Sequence, residues 1–127
     1  MNKLDKYYPK ENKYHNKKTV VDGIKFDSKL EATRYCQLKI LQRAGEIKNL
    51  KRQVPYILIP GYIKNGKTVR PIKYLADFTY FDCKKNKLVI EDVKSTATRT
   101  DEYKLKKKLF EWRFPDLEIT EVTTEDI

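Results

Sequence analysis

Tyr74-Leu75-Ala76-Asp77-Phe78-Thr79-Tyr80, followed by Leu88-Val89-Ile90-Glu91-Asp92-Val93-Lys94, is the stretch on which the reading of this chain turns. Two apolar, β-branched and aromatic runs flank Asp82-Cys83-Lys84-Lys85-Asn86, which has the composition of a hairpin loop. Each run carries acid where a plain strand would exclude it. Side chains alternate across a strand, so Asp92 and Lys94 share one face and Val93 takes the other. With Asp77 on the same side, the hairpin presents two carboxylates and an ammonium at one spot. Such a set can hold a divalent cation and a water beside a phosphodiester. It is also the composition of a solvated ion pair at a strand end, worth little.

The surrounding composition narrows the choice. A chain of 127 residues makes one domain and can bury a core without staples. Charged residues are 36% of it, and the formal net charge is +10. That excess favours a polyanionic partner, nucleic acid first and anionic membrane second. No apolar segment is long enough to span a bilayer, and the N-terminus lacks the apolar core of a signal peptide. Cys36 and Cys83 share no metal-type spacing, and His15 is the single histidine, which argues against zinc. The expected location is the cytoplasm, with both thiols reduced.

Outward from the hairpin, residues 1–18 are rich in Lys, Asn and Tyr and too poor in aliphatics to fold alone. They read as a basic N-terminal arm, with residues 19–127 as the folded domain. The arm, including Lys17 and Lys18, suits nucleic-acid contact through its charge and its tyrosines, and equally suits a solubilising tail. Thr19 to Phe26 reads as a strand pair turning at Asp22-Gly23. Ser28 then caps a helix running to about Ala44 and stopped by Gly45. Leu30, Leu38, Ile40, Leu41 and Ala44 form its expected apolar stripe. Glu31 lies at the edge of that stripe. Two roles are open for it: closing a capping box with Ser28, or reaching over the sheet as a metal ligand.

Glu46 to Gln53 reads as a polar connection, with Gln53 either a surface amide or a contact for a water or phosphate oxygen. Tyr56-Ile57-Leu58-Ile59 is a strand, and Asn65-Gly66 marks a hairpin. Beyond the 88–94 strand, Arg99 belongs to a basic loop and Thr100 caps a second helix, with Asp101 and Glu102 in its first turn. Leu105, Leu109 and Trp112 are its expected buried stripe. Lys104, Lys106, Lys107 and Lys108 cover much of the rest, as a solvated face or as phosphate contacts. Leu117 to Val122 alternates as a last strand, which a right-handed crossover can lay parallel to the sheet.

The order helix, three strands, helix, strand, with Asp77, then Asp92-Val93-Lys94, then Glu31 on the first helix and Gln53-Val54-Pro55 between, resembles the PD-(D/E)XK nuclease superfamily. The likeness spans about Gly23 to Val122 and is strongest to small phage-encoded endonucleases and Holliday-junction-resolvase-type members. Ala76 stands where many members have proline, and Asp92 where many have glutamate. Glu91 precedes it, but only Asp92 has the spacing to Lys94.

The resemblance implies an α/β, restriction-endonuclease-like αβββαβ core, with a central mixed sheet flanked by helices. It implies a Mg²⁺-dependent DNA endonuclease, with Mn²⁺ able to substitute. Asp77, Asp92 and Glu31 would hold the metal, Lys94 would serve the water or the charged phosphate, and Gln53 would be a further polar contact. The expected substrate is branched DNA, such as a Holliday junction, in phage recombination, replication or packaging. A resolvase of this kind acts as a homodimer. The competing expectation, from charge alone, is a non-catalytic nucleic-acid-binding module.

Overall fold

The computed structural model of the protein describes Lys10–Glu11, residues 17–95 and residues 99–127. Nine strands, two α-helices and a short 3₁₀ helix (Thr124–Asp126) are assigned among them. The strands and α-helices are β1 (Lys10–Glu11), β2 (Lys17–Val21), β3 (Ile24–Phe26), α1 (Lys29–Arg43), β4 (Ile47–Ile59), β5 (Tyr62–Lys64), β6 (Lys67–Val69), β7 (Ile72–Asp82), β8 (Lys87–Lys94), α2 (Asp101–Arg113) and β9 (Ile119–Thr123). Most of the expected arm lies outside the described residues. Its end does not: Lys17 and Lys18 pair with Glu11 and Lys10 in an antiparallel ladder.

The organising layer is a mixed four-stranded sheet in the order β4-β7-β8-β9. β4, β7 and β8 are antiparallel neighbours, and β9 runs parallel to β8 from Ile90↔Ile119 to Lys94↔Thr123. The two helices cover opposite faces. Along β8, Val89 and Val93 pack into the cluster of Ala32, Tyr35 and Leu38 from α1. Ile90 between them packs with Tyr103 and Phe110 from α2. A chain with alternating apolar residues on both faces of one strand needs this two-sided cover.

Local chemistry accounts for the element ends. Ser28 Oγ accepts from Glu31 N at 3.1 Å, and Thr100 Oγ1 accepts from Tyr103 N at 3.1 Å, each satisfying an orphan amide of its helix. The turns at Asp22-Gly23 and Asn65-Gly66 place both residues at positive φ, the geometry that matches hairpin twist.

Three expectations are corrected. Residues 47–53 are not a connection but the first half of β4, and only Glu46 of the expected stretch lies outside it. Lys48, Lys51 and Arg52 give this half of β4 a polar look, and Asn49 and Gln53, both at positive φ, break the alternation of an ordinary strand. The buried face of α1 is Glu31, Ala32, Tyr35 and Leu38; Ile40 is 65% exposed and Ala44 is exposed. Tyr35 rotates the helix inward because its ring packs on Phe26 at 5.1 Å while its hydroxyl donates to Asp22. The buried face of α2 is Tyr103 and Phe110, whereas Leu105 and Trp112 are exposed. Phe110 is fully buried against the rings of Tyr56, Tyr74 and Phe114, with centroids 5.2 to 5.6 Å away. That aromatic nest outweighs the leucine-tryptophan stripe.

Candidate active site

Pairing of β7 with β8 runs from Asp82↔Lys87 to Phe78↔Glu91 and stops there. Asp77 is the next residue of β7. Its Oδ2 accepts from the backbone N–H of Val93 at 2.8 Å. A side-chain carboxylate therefore takes a ladder donor of the neighbouring strand where the two strands part. Continuing the register makes Asp77 and Asp92 cross-strand neighbours across that gap.

On its other side Asp77 faces Gln53. The β4–β7 ladder pairs Arg52↔Phe78 and Val54↔Ala76 but skips the rung between them. Gln53 stands on that rung with φ +49°. A left-handed backbone is costly for a side chain of this kind and persists only where the surroundings hold it. Here the side chain is held twice. Gln53 Nε2 donates to Glu31 Oε1 at 3.2 Å and to Asp77 Oδ1 at 3.4 Å.

The same rung inverts the pleat. Ala76 packs with the α2 cluster and Phe78 with the α1 cluster, although two residues apart. On β4, Val54 joins the α2 cluster while the Arg52 guanidinium lies 4.5 Å from the Phe26 ring on the α1 side.

Asp92 and Lys94 occupy the α2 face of β8. Lys94 Nζ is 2.8 Å from Asp92 Oδ1, and Tyr74 OH donates to Asp92 Oδ2 at 2.8 Å. Lys94 Nζ also lies 3.4 Å from the centre of the Tyr103 ring, a cation–π contact. Glu91 belongs to the opposite face. It is 1% exposed and accepts from Arg34 Nε at 2.8 Å, Arg34 Nη2 at 2.6 Å and the Tyr80 hydroxyl. Glu91 thus ties α1 to the sheet and leaves Asp92 for the gap.

Electrostatics set Glu31 and Asp77 apart. Burial, then the charges of Asp77 and Asp27, push Glu31 up to about 7, against the pull of Arg52 and Gln53. Burial first, and then the charge of Asp92, push Asp77 up to about 6, opposed by the Val93 amide, Gln53 and Lys94. Both are acids short of positive charge.

The predicted residues thus fall into two adjoining sets, Glu31–Gln53–Asp77 and Asp92–Lys94. Glu31 does not close a capping box with its side chain; the carboxylate goes to Gln53 instead. Among the described residues no group of three or more His, Cys, Asp or Glu side chains is arranged to hold a metal ion. Tyr74 and Tyr103, which orient Asp92 and Lys94, were missed by the sequence reading, since nothing local marks a tyrosine that acts across 18 or 9 positions.

Of the predicted nucleic-acid contacts, Lys104 and Lys108 are exposed, Lys106 pairs with Glu102 at 3.1 Å and Lys107 sits 3.9 Å from Glu121. Arg99 is engaged by Glu121, with Nε 3.1 Å from Oε2. Lys18 is exposed on β2, some way along the chain from the acids. No helix among the described residues is long and apolar enough to cross a membrane.

A family model described as "Protein of unknown function (DUF1064)" matches residues 11–125, nearly the whole chain. The chain belongs to the DUF1064 family. The match takes in every candidate site residue named above, from Lys17 to Glu121. No curated protein and no solved structure matches it.

Proposed function

We infer that this protein is a metal-dependent DNA endonuclease of the PD-(D/E)XK type, cutting phosphodiester bonds in branched or otherwise non-duplex DNA. The observation that carries the reading is the parted β7–β8 gap, with Asp77 on one lip and the Asp92–Lys94 pair on the other. A net charge of +10 makes a polyanion the natural partner. A pure binding module gains nothing from acids on both lips of a gap where phosphate would lie.

The donor chemistry suits a hard divalent cation such as Mg²⁺, for which carboxylate oxygens are the usual ligands. Glu31 and Asp77, raised to about 7 and about 6 by burial and neighbouring negative charge, are the groups such a cation would relieve. Asp77, Asp92 and Glu31 would hold it by converging from the two sets they form here, and when bound it would supply charge neutralisation at the scissile phosphate and a more acidic water. The chain's own residues do the rest. The Val93 N–H fixes the Asp77 carboxylate, and Gln53 spaces Asp77 from Glu31. Lys94, steadied by Asp92 and the Tyr103 ring, presents an ammonium to an attacking water or to charge developing on phosphate. Backbone contacts from the exposed lysines would position the DNA without reading its sequence.

The test is cleavage of linear, flapped and four-way-junction DNA in Mg²⁺ and Mn²⁺ by wild type, Asp77→Asn and Asp92→Asn. Cutting by wild type, with a loss of at least about a hundredfold in both variants, is expected. No cutting of any form, or equal cutting by the variants, would leave the binding-module alternative in its place.

A further inference from the structure

A cleft of about 810 Å³ opens against Asp92 on the α2 side of the sheet. Its walls are the start of α2 and the segment leading from the β5–β6 hairpin into β7. Arg70, Lys73 and Lys106 stand at its rim, and Pro55, Pro71 and Leu75 give it an apolar side. Two acids line it as well. Asp92 is matched by Lys94, and Glu102 pairs with Lys106 at 3.1 Å in an open, solvent-screened contact. Arg70 and Lys73 are exposed and make no ion pair among the described residues. The balance at the rim is positive.

The cleft does not end there. It continues past Lys106 into a second hollow of about 360 Å³ lined by Ile72, Leu105 and Leu109. Trp112 follows on the same face of α2, seven residues after Leu105, and is 78% exposed. Leu105, which the helix withholds from the core, is part of the outer wall of this path, and exposed Trp112 extends that face beyond it.

We propose that this cleft takes a single DNA strand on one side of the cut, with its phosphates on Arg70, Lys73 and Lys106 and its bases against Leu75 and the Leu105–Trp112 stripe. The proposal rests on the nuclease reading for the chemistry at its inner end. The volume is that of a small-ligand pocket, room for about one or two nucleotides. Alternation of cationic rim and apolar wall is what unpaired DNA requires, since its bases offer exposed faces to stack and its backbone offers charge. A duplex has its bases already stacked and would gain only the rim. The preferred substrates are then flaps, frayed ends and overhangs.

Binding is read by fluorescence anisotropy in EDTA, which separates it from cutting, on a blunt duplex and on the same duplex with a single-stranded overhang. The overhang is expected to bind at least about tenfold more tightly. Lys73→Glu with Leu75→Glu, both exposed positions that a folded chain tolerates, should erase that preference. Lys85→Glu with Leu88→Glu, the same charge change at exposed positions around the β7–β8 turn, should keep it. Equal affinity for the two DNAs overturns the proposal, as does a preference that survives the cleft substitutions. Cleavage is scored separately in Mg²⁺. Equal cutting by wild type and Asp77→Asn removes the nuclease reading whatever the binding shows. Equal wild-type affinity for the two DNAs, with intact, Asp77-dependent cutting, removes the cleft proposal alone.

Discussion

Replacing Glu31 by Gln should make this protein more stable at pH 8 and no more stable at pH 4. The carboxyl sits at about 7 in the folded chain against an ordinary 4.5, with burial the leading cause. Between those two values the folded state binds more protons than the unfolded state, so stability falls as pH rises through the window. The full separation corresponds to about 3 kcal/mol at ~1.4 kcal/mol per pH unit. The group borders an open gap, so solvent screening reduces this to roughly 2 kcal/mol. Glutamine keeps the acceptor oxygen that Gln53 uses and removes the charge. For a domain of this size ~2 kcal/mol is a rise of about 8 °C in Tm. Thermal denaturation followed by circular dichroism from pH 4 to pH 8, in EDTA, measures it. The gain of the variant over wild type should grow between pH 4.5 and 7 and then level off. Saturating Mg²⁺ should raise the wild-type Tm at pH 8 and leave the variant nearly where it was. A variant less stable than wild type at pH 8, or a difference that does not change with pH, would refute the view that Glu31 is held short of positive charge.

Glu91→Ala should cost about 3–5 kcal/mol in urea denaturation, because it strands the Arg34 guanidinium in the α1 face without its partner; a loss under ~1 kcal/mol would contradict that anchoring role. Phe110→Ala should cost about 3–5 kcal/mol and Trp112→Ala less than about 0.5 kcal/mol, reversing the order expected if Leu105–Leu109–Trp112 were the core stripe. Tyr103→Leu should slow Mg²⁺-dependent cleavage roughly tenfold through loss of the ring beneath Lys94, with a shifted pH–rate profile, while Tyr103→Phe retains most activity. Tyr103→Phe as slow as Tyr103→Leu would assign the effect to the hydroxyl's bond to Glu121 instead.

What was legible in the sequence was what local chemistry decides. Asp22-Gly23, Asn65-Gly66 and the 82–86 turn announced their hairpins because only certain residues accept those backbone angles. Ser28 and Thr100 announced their helices because an orphan amide needs a nearby oxygen. The parallel last strand followed from the helix before it. The faces of the helices were not legible, because aromatic partners distant in the chain choose them: Phe26 for Tyr35, and Tyr56, Tyr74 and Phe114 for Phe110. β4 hid itself behind Asn49 and Gln53, whose left-handed angles no residue-type preference announces. At the site, Asp77, Asp92, Lys94, Glu31 and Gln53 were picked from spacing and resemblance. Their division into two sets depends on the direction of each side chain, which spacing alone leaves open. Glu91 and Asp92 illustrate it: adjacent acids on opposite faces, one spent on holding a helix and the other left at the gap.

The sheet divides the interior into two chambers, one closed by each helix, and the inverted rung at Gln53 and Asp77 is where β4 and β7 cross from one to the other, with the acids lying on that seam. Each chamber has its own aromatic filling, Phe26 and Tyr35 in one and Tyr56, Phe110 and Phe114 in the other. Whatever bridges the seam fastens both lids at once, and occupancy there should slow amide exchange in α1 and α2 together.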